Sequence, residues 1–77
     1  MPRVAQVGGV ALYIYFADHN PPHFHALEAG SEALITIRDC TVLRGSVPSL
    51  AAVIAWANAH REILVAAWNR CNPSNPY

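Results

Sequence analysis

Hydrophobic positions along the chain alternate every second residue through its first half. They recur every third or fourth residue through its last third. Residues 1–9 read as an extended start closed by the turn signal Gly8-Gly9. Residues 10–16 read as a strand, with Leu12, Ile14 and Phe16 alternating with Ala11, Tyr13 and Tyr15. Both faces are apolar or aromatic, which predicts a strand covered on both sides. Asp18-His19-Asn20-Pro21-Pro22 then interrupts the pattern, because two successive prolines fix φ and remove two backbone donors. Residues 23–28 resume as a strand with His23, His25 and Leu27 on one face and Phe24 and Ala26 on the other. After the turn Ala29-Gly30-Ser31, residues 32–38 form the clearest alternation, and Asp39-Cys40 predicts a tight hairpin into a short strand over 41–44.

The period changes at Gly45-Ser46-Val47-Pro48. Leu50, Val53, Ile54, Ala57, Ile63, Leu64, Ala67, Trp68 and Cys71 fall at helical spacing, with alanines raising the propensity between them. The phase continues through His60, which predicts one long helix from 49 to about 70, with any kink near 58–60. Asn72-Pro73 ends it, and 73–77 is expected to be a frayed tail. The predicted fold is one α+β domain over 1–77: a four-stranded antiparallel meander followed by one long C-terminal helix packed on the sheet.

Composition adds constraints. A chain of 77 residues has a marginal core, burying only about 60% of its unfolded surface. It is 53% hydrophobic and 13% charged with zero formal net charge, which predicts buried surface beyond a monomer core, supplied by a homodimer or a protein partner. There is no lysine, and Arg3, Arg38, Arg44, Arg61 and Arg70 are scattered, which argues against nucleic acid as a partner. A hairpin could still bring Arg38 and Arg44 together. No apolar run reaches the roughly 18–20 residues of a membrane span. The opening residues do not resemble an export signal, so Cys40 and Cys71 are expected to be reduced thiols in the cytoplasm.

Candidate chemistry concentrates in Asp18-His19-Asn20-Pro21-Pro22-His23-Phe24-His25. Three readings compete. In the structural one, which weighs most, Asp18 and Asn20 are turn residues, the prolines stiffen the strand entry and the histidines bond across strands. In the second, Asp18, His19, His23 and His25 ligate zinc or another divalent metal, completed by His60 if the helix covers that face. In the third, His19, His23, His25 and His60 are acid/base groups of metal-free RNA cleavage, with Arg38 or Arg61 stabilising the phosphorane. Tyr13, Tyr15, Trp56 and Trp68 are the candidates for a partner interface, against a competing reading as core packing.

This histidine stretch, preceded by Tyr13-Ile14-Tyr15 and followed by Trp56, His60-Arg61-Glu62 and Trp68, resembles the bacterial domain-of-unknown-function family 4160 from Met1-Pro2 to about Arg70. The resemblance marks Asp18, His19, His23, His25 and His60 as family-typical polar positions and assigns no catalytic residue. It implies a small gene paired with another in a toxin–antitoxin-like module. Glu62-Ile63 stands where the family pattern has two acidic residues, and the family's terminal lysines are missing, which weakens a nucleic-acid role for this chain. The resulting expectation is a small cytoplasmic protein-binding component of such a module. The alternatives are a His-dependent ribonuclease-type toxin, with or without a divalent metal, and a small protein inhibitor carried by a mobile element.

Overall fold

The computed structural model describes residues 3–77. Its elements are β1 (Arg3–Val7), β2 (Val10–Tyr13), β3 (His23–Glu28), β4 (Ser31–Thr36), β5 (Val42–Gly45), α1 (Leu50–Ala59) and α2 (Arg61–Cys71). The strands form one antiparallel sheet in chain order, β1-β2-β3-β4-β5. The α+β class and the meander match the expectation, whereas the sheet has five strands rather than four. The additional strand is β1, folded back across Gly8-Gly9 so that Val7 pairs with Val10 and Arg3 with Tyr13. Its hydrophobic alternation is too short to declare a strand alone, and pairing with β2 supplies the missing stabilisation.

Two strands end earlier than their alternation suggests. β2 stops at Tyr13, because Phe16 and Ala17 turn and the Ala17 N–H leaves the ladder to donate to the Cys71 carbonyl at 3.2 Å. β4 stops at Thr36, whose hydroxyl donates to Asp39 at 2.6 Å and accepts the Thr41 N–H at 2.9 Å, closing the turn into β5.

Period-two geometry sends Val10, Leu12, Phe24, Ala26, Ala33 and Ile35 to one sheet face, where each is fully buried. Both helices cover that face through Val53, Ala57, Leu64, Ala67 and Trp68. The expected single helix is two helices at 85° to one another. The break is one residue wide. His60 takes a non-helical φ of −129°, and its N–H still bonds the carbonyls of Trp56 and Ala57. Arg61 then fixes the start of α2, its Nε donating to the Ile37 carbonyl at 2.7 Å and its Nη2 to Asn58. So narrow a break leaves the apolar phase intact, and periodicity does not register it. The bend lets the apolar faces of α1 and α2 reach one core. The N-terminus of α1 is tied to β3 by Glu28, whose carboxylate accepts both the N–H and the hydroxyl of Ser49 at 2.8 Å.

The tail, expected to fray, is held by side chains. Trp68 Nε1 donates to the Asn75 carbonyl at 2.9 Å, and the amides of Asn75 and Asn20 bond each other reciprocally. Among the described residues no single helix is long and apolar enough to cross a membrane.

Candidate metal centre

His23 and His25 lie two apart on β3, so their rings share the sheet face opposite Phe24 and Ala26. The loop between β2 and β3 brings Asp18 back over that face. Asp18 is set by a buried residue 54 positions away: its N–H donates to Asn72 Oδ1 at 2.7 Å. Asn72 is only 3% exposed, and its Nδ2 donates to the carbonyls of Tyr15 and Trp68, both at 3.2 Å. One side chain therefore joins the loop before Asp18, Asp18 itself and the end of α2. Asp18 Oδ1 accepts the His19 N–H at 2.8 Å, which turns Oδ2 toward the rings. It lies 3.1 Å from His23 Nε2 and 3.3 Å from His25 Nε2.

The far side of each ring determines what the near side offers. His23 Nδ1 is 2.8 Å from the Pro21 carbonyl, which can only accept, so the proton is on Nδ1. His25 Nδ1 is 3.0 Å from Glu32 Oε2, and an ionised carboxylate likewise only accepts. A neutral imidazole carries one proton, so His23 Nε2 is left as a lone pair facing Asp18, whereas His25 has a carboxylate on each side and satisfies both only with a second proton or with a cation in that proton's place. Electron-rich atoms facing one another repel unless a cation lies between them or the rings take a second proton. Metal-bound histidines characteristically give their other N–H to a carbonyl or carboxylate, as these two do.

Distances fit a small cation. Metal–ligand bonds of about 2.0–2.2 Å place neighbouring ligand atoms about 2.8–3.6 Å apart across octahedral and tetrahedral geometries. The two Asp18–histidine separations fall in that interval, and all three donor atoms lie within 4.8 Å of one another. Burial pushes the Asp18 carboxyl up, but the His19 N–H, together with the hydrogen bond from His25 and the charge of the His23 and His25 rings in their protonated state, outweighs it. The net is below the ordinary carboxylate value, so Asp18 is an anion at neutral pH. Tyr15, with its ring 4.1 Å from that of His25, is pushed up by burial and then by the negative charge of Glu32, Tyr13 and Asp18.

The donor set opens into a cleft of about 330 Å³, whose other walls include His19, Asn20, Leu34, Leu43 and Arg44. A model of the family described as Domain of unknown function (DUF4160) matches residues 9–69. The chain belongs to this family. No curated protein and no solved structure matches it. The stretch matched by the family contains Asp18, His23, His25 and Glu32, whereas Asn72 falls beyond it.

The predicted site residues separate. Asp18, His23 and His25 converge; His19 is exposed on the cleft wall. His60 is excluded, because the helices cover the opposite face. It stacks on Trp56 with ring centroids 4.6 Å apart and places Nδ1 3.0 Å from that residue's carbonyl. Arg61 is committed to Ile37 and Asn58, and Arg38 lines a different cleft with Pro21 and Pro22. Among the interface candidates, Trp68 is fully buried in the core, Trp56 is half-buried under His60, and Tyr13 and Tyr15 are half-buried on the histidine face. Cys40 and Cys71 are free and buried. Glu32 and Asn72 are the site residues without a place in the sequence reading; Arg44, considered there as a hairpin neighbour of Arg38, lines this cleft while Arg38 lines the other. Glu32 has one local signal, since β3–β4 hairpin geometry sets it diagonal to His25.

Proposed function

We propose that this protein binds a divalent first-row metal, zinc being the reference case, through Asp18 Oδ2, His23 Nε2 and His25 Nε2. The observation that carries the reading is that both rings place Nδ1 against outer acceptors and turn Nε2 toward one carboxylate oxygen. Two histidines and one carboxylate leave coordination positions open, as in catalytic rather than closed structural sites. A cation held this way would supply a Lewis acid and an acidified water, the chemistry of metal-assisted hydrolysis. The chain's own part is orientation. Pro21 and Glu32 orient the two rings, Asn72 fixes the Asp18 loop, and the half-buried Tyr15 ring limits water on one side of His25. The free thiols of Cys40 and Cys71 support a reducing, cytoplasmic setting.

Elemental analysis and metal titration of the tag-free protein test this. About one equivalent of metal is expected in the wild type and none in His23→Ala or His25→Ala, with circular dichroism confirming that each variant folds. Glu32→Gln should keep the stoichiometry and weaken affinity by about 10–100-fold. Wild-type protein without stoichiometric affinity, or histidine variants that retain it, would sink the reading.

A second reading, binding of a protein partner, is favoured by one surface. Phe16 is 65% exposed beside a groove of about 440 Å³ lined by Val4, Ile63 and Ala67, with Arg3 and Arg70 in its walls. Apolar lining between two arginines suits a peptide carrying an apolar anchor with acidic neighbours. A displayed peptide library should enrich such sequences on the wild type and not on Phe16→Ser; enrichment that ignores this change removes the reading. A toxin–antitoxin-like role rests on the family resemblance alone.

A further inference from the structure

We infer that the metal centre takes a small substrate bearing a phosphate-type oxyanion, clamped between the metal position and Arg44. The inference rests on the metal-binding reading above.

Register places the arginine. Tyr13 pairs with His25, His25 with Leu34, and Leu34 with Arg44, so one row of side chains crosses four strands on the histidine face. Two strand spacings of about 4.8 Å put Arg44 roughly 10 Å from His25 along this row. Both side chains line one cleft with Leu34 as an apolar floor between their strands, so a tetrahedral anion bound there would meet the guanidinium on one side and the ligand cluster on the other. A register shift between Leu34 and Ile35 makes β5 one residue longer than its partner here, a bulge. Leu43 and Arg44 therefore both line the cleft instead of alternating away from each other. Gly45 makes this path possible. It has a φ of +72°, and a Cβ there would overlap the Glu32 carbonyl, so the chain packs closely against β4 immediately after Arg44.

Charge determines the ligand class. Arg44 is exposed, and among the described residues no hydrogen bond or ion pair occupies its guanidinium. A divalent cation would balance Asp18 and Glu32, leaving Arg44 as the uncompensated charge at the cleft, ready for an oxyanion in the bidentate geometry guanidinium favours. Size determines the rest. About 330 Å³ is at the lower end of small-molecule sites, and a polyanion would need a basic track that this lysine-free chain does not present. A small phosphate ester fits better than RNA.

The test is calorimetric titration of inorganic phosphate into zinc-loaded protein freed of excess metal, with acetate as a parallel probe. Metal content is measured in the same samples of wild type and Arg44→Gln. The expected result is equal metal in both proteins, and phosphate affinity roughly 10-fold or more lower in Arg44→Gln and in chelator-stripped wild type. Full metal with no phosphate binding, or equal binding in Arg44→Gln, overturns the inference and leaves the metal site standing. Binding of acetate but not phosphate overturns the phosphate assignment in favour of a carboxylate. Absence of metal from the wild type overturns both readings together.

Discussion

Replacing Asn72 with alanine should destabilise the protein markedly. Its side chain makes three hydrogen bonds, accepting from the Asp18 N–H and donating to the Tyr15 and Trp68 carbonyls. Each intramolecular bond contributes about 1 kcal/mol net, so losing three costs about 3 kcal/mol. The Trp68 carbonyl keeps the Asn72 backbone N–H at 2.8 Å and is not stranded, which holds the figure near that sum. A domain of 77 residues has a total stability of about 4–12 kcal/mol, so the change removes a quarter or more of it. Urea unfolding followed by tryptophan fluorescence measures this, and a midpoint lower by about 2–3 M is expected for a chain of this size. Asn72→Asp is the sharper control. It preserves shape and keeps an acceptor for Asp18, but sets an oxygen against two carbonyls, so it should cost at least as much as alanine. Metal affinity should fall in Asn72→Ala, because Asp18 loses its anchor. A loss under about 1 kcal/mol in Asn72→Ala, or an Asn72→Asp protein as stable as wild type, would show that Asn72 does not hold the loop.

Other outcomes follow from the same geometry. Gly45→Ala and Gly30→Ala both place alanine at positive φ, but only at Gly45 does the new Cβ meet backbone. Gly30→Ala should cost about 1–2 kcal/mol from conformation alone, and Gly45→Ala distinctly more in the same urea assay; equal losses would refute the close approach of β5 to Glu32. Asp39 is held below its ordinary value of 3.8 mainly by hydrogen bonds from the Thr36 and Thr41 side chains. Its folded pKa is lowered, so its stabilising contribution is complete above 3.8 and disappears as pH falls through the lowered value. The stability gap between wild type and Asp39→Asn should therefore be present near neutrality and close in strong acid. A gap that persists unchanged in strong acid contradicts the assignment.

The division between what the chain's pattern reveals and what the fold adds is physical. Alternation is a property of one strand, so it was enough to set His23 and His25 on one face and Phe24 and Ala26 on the other. Proline chemistry was enough to locate the loop that carries Asp18. Helical phase was enough to place Val53, Ala57, Leu64 and Trp68 in the core, and equally unable to see a one-residue break at His60 that leaves the phase unchanged. Whether the helices lie over the histidine face was open from the sequence, and packing decided against it, taking His60 out of the site. The partners that define the site belong to register and long-range contact. Arg44 faces the cleft through a bulge, Glu32 reaches His25 across a hairpin, and Asn72 holds Asp18 from 54 residues away. No local period encodes such pairings, because they exist only once separate elements are brought to hydrogen-bonding distance. The sequence by itself determined which residues could do chemistry and which way β3 turns them; only the tertiary structure decided which of them meet.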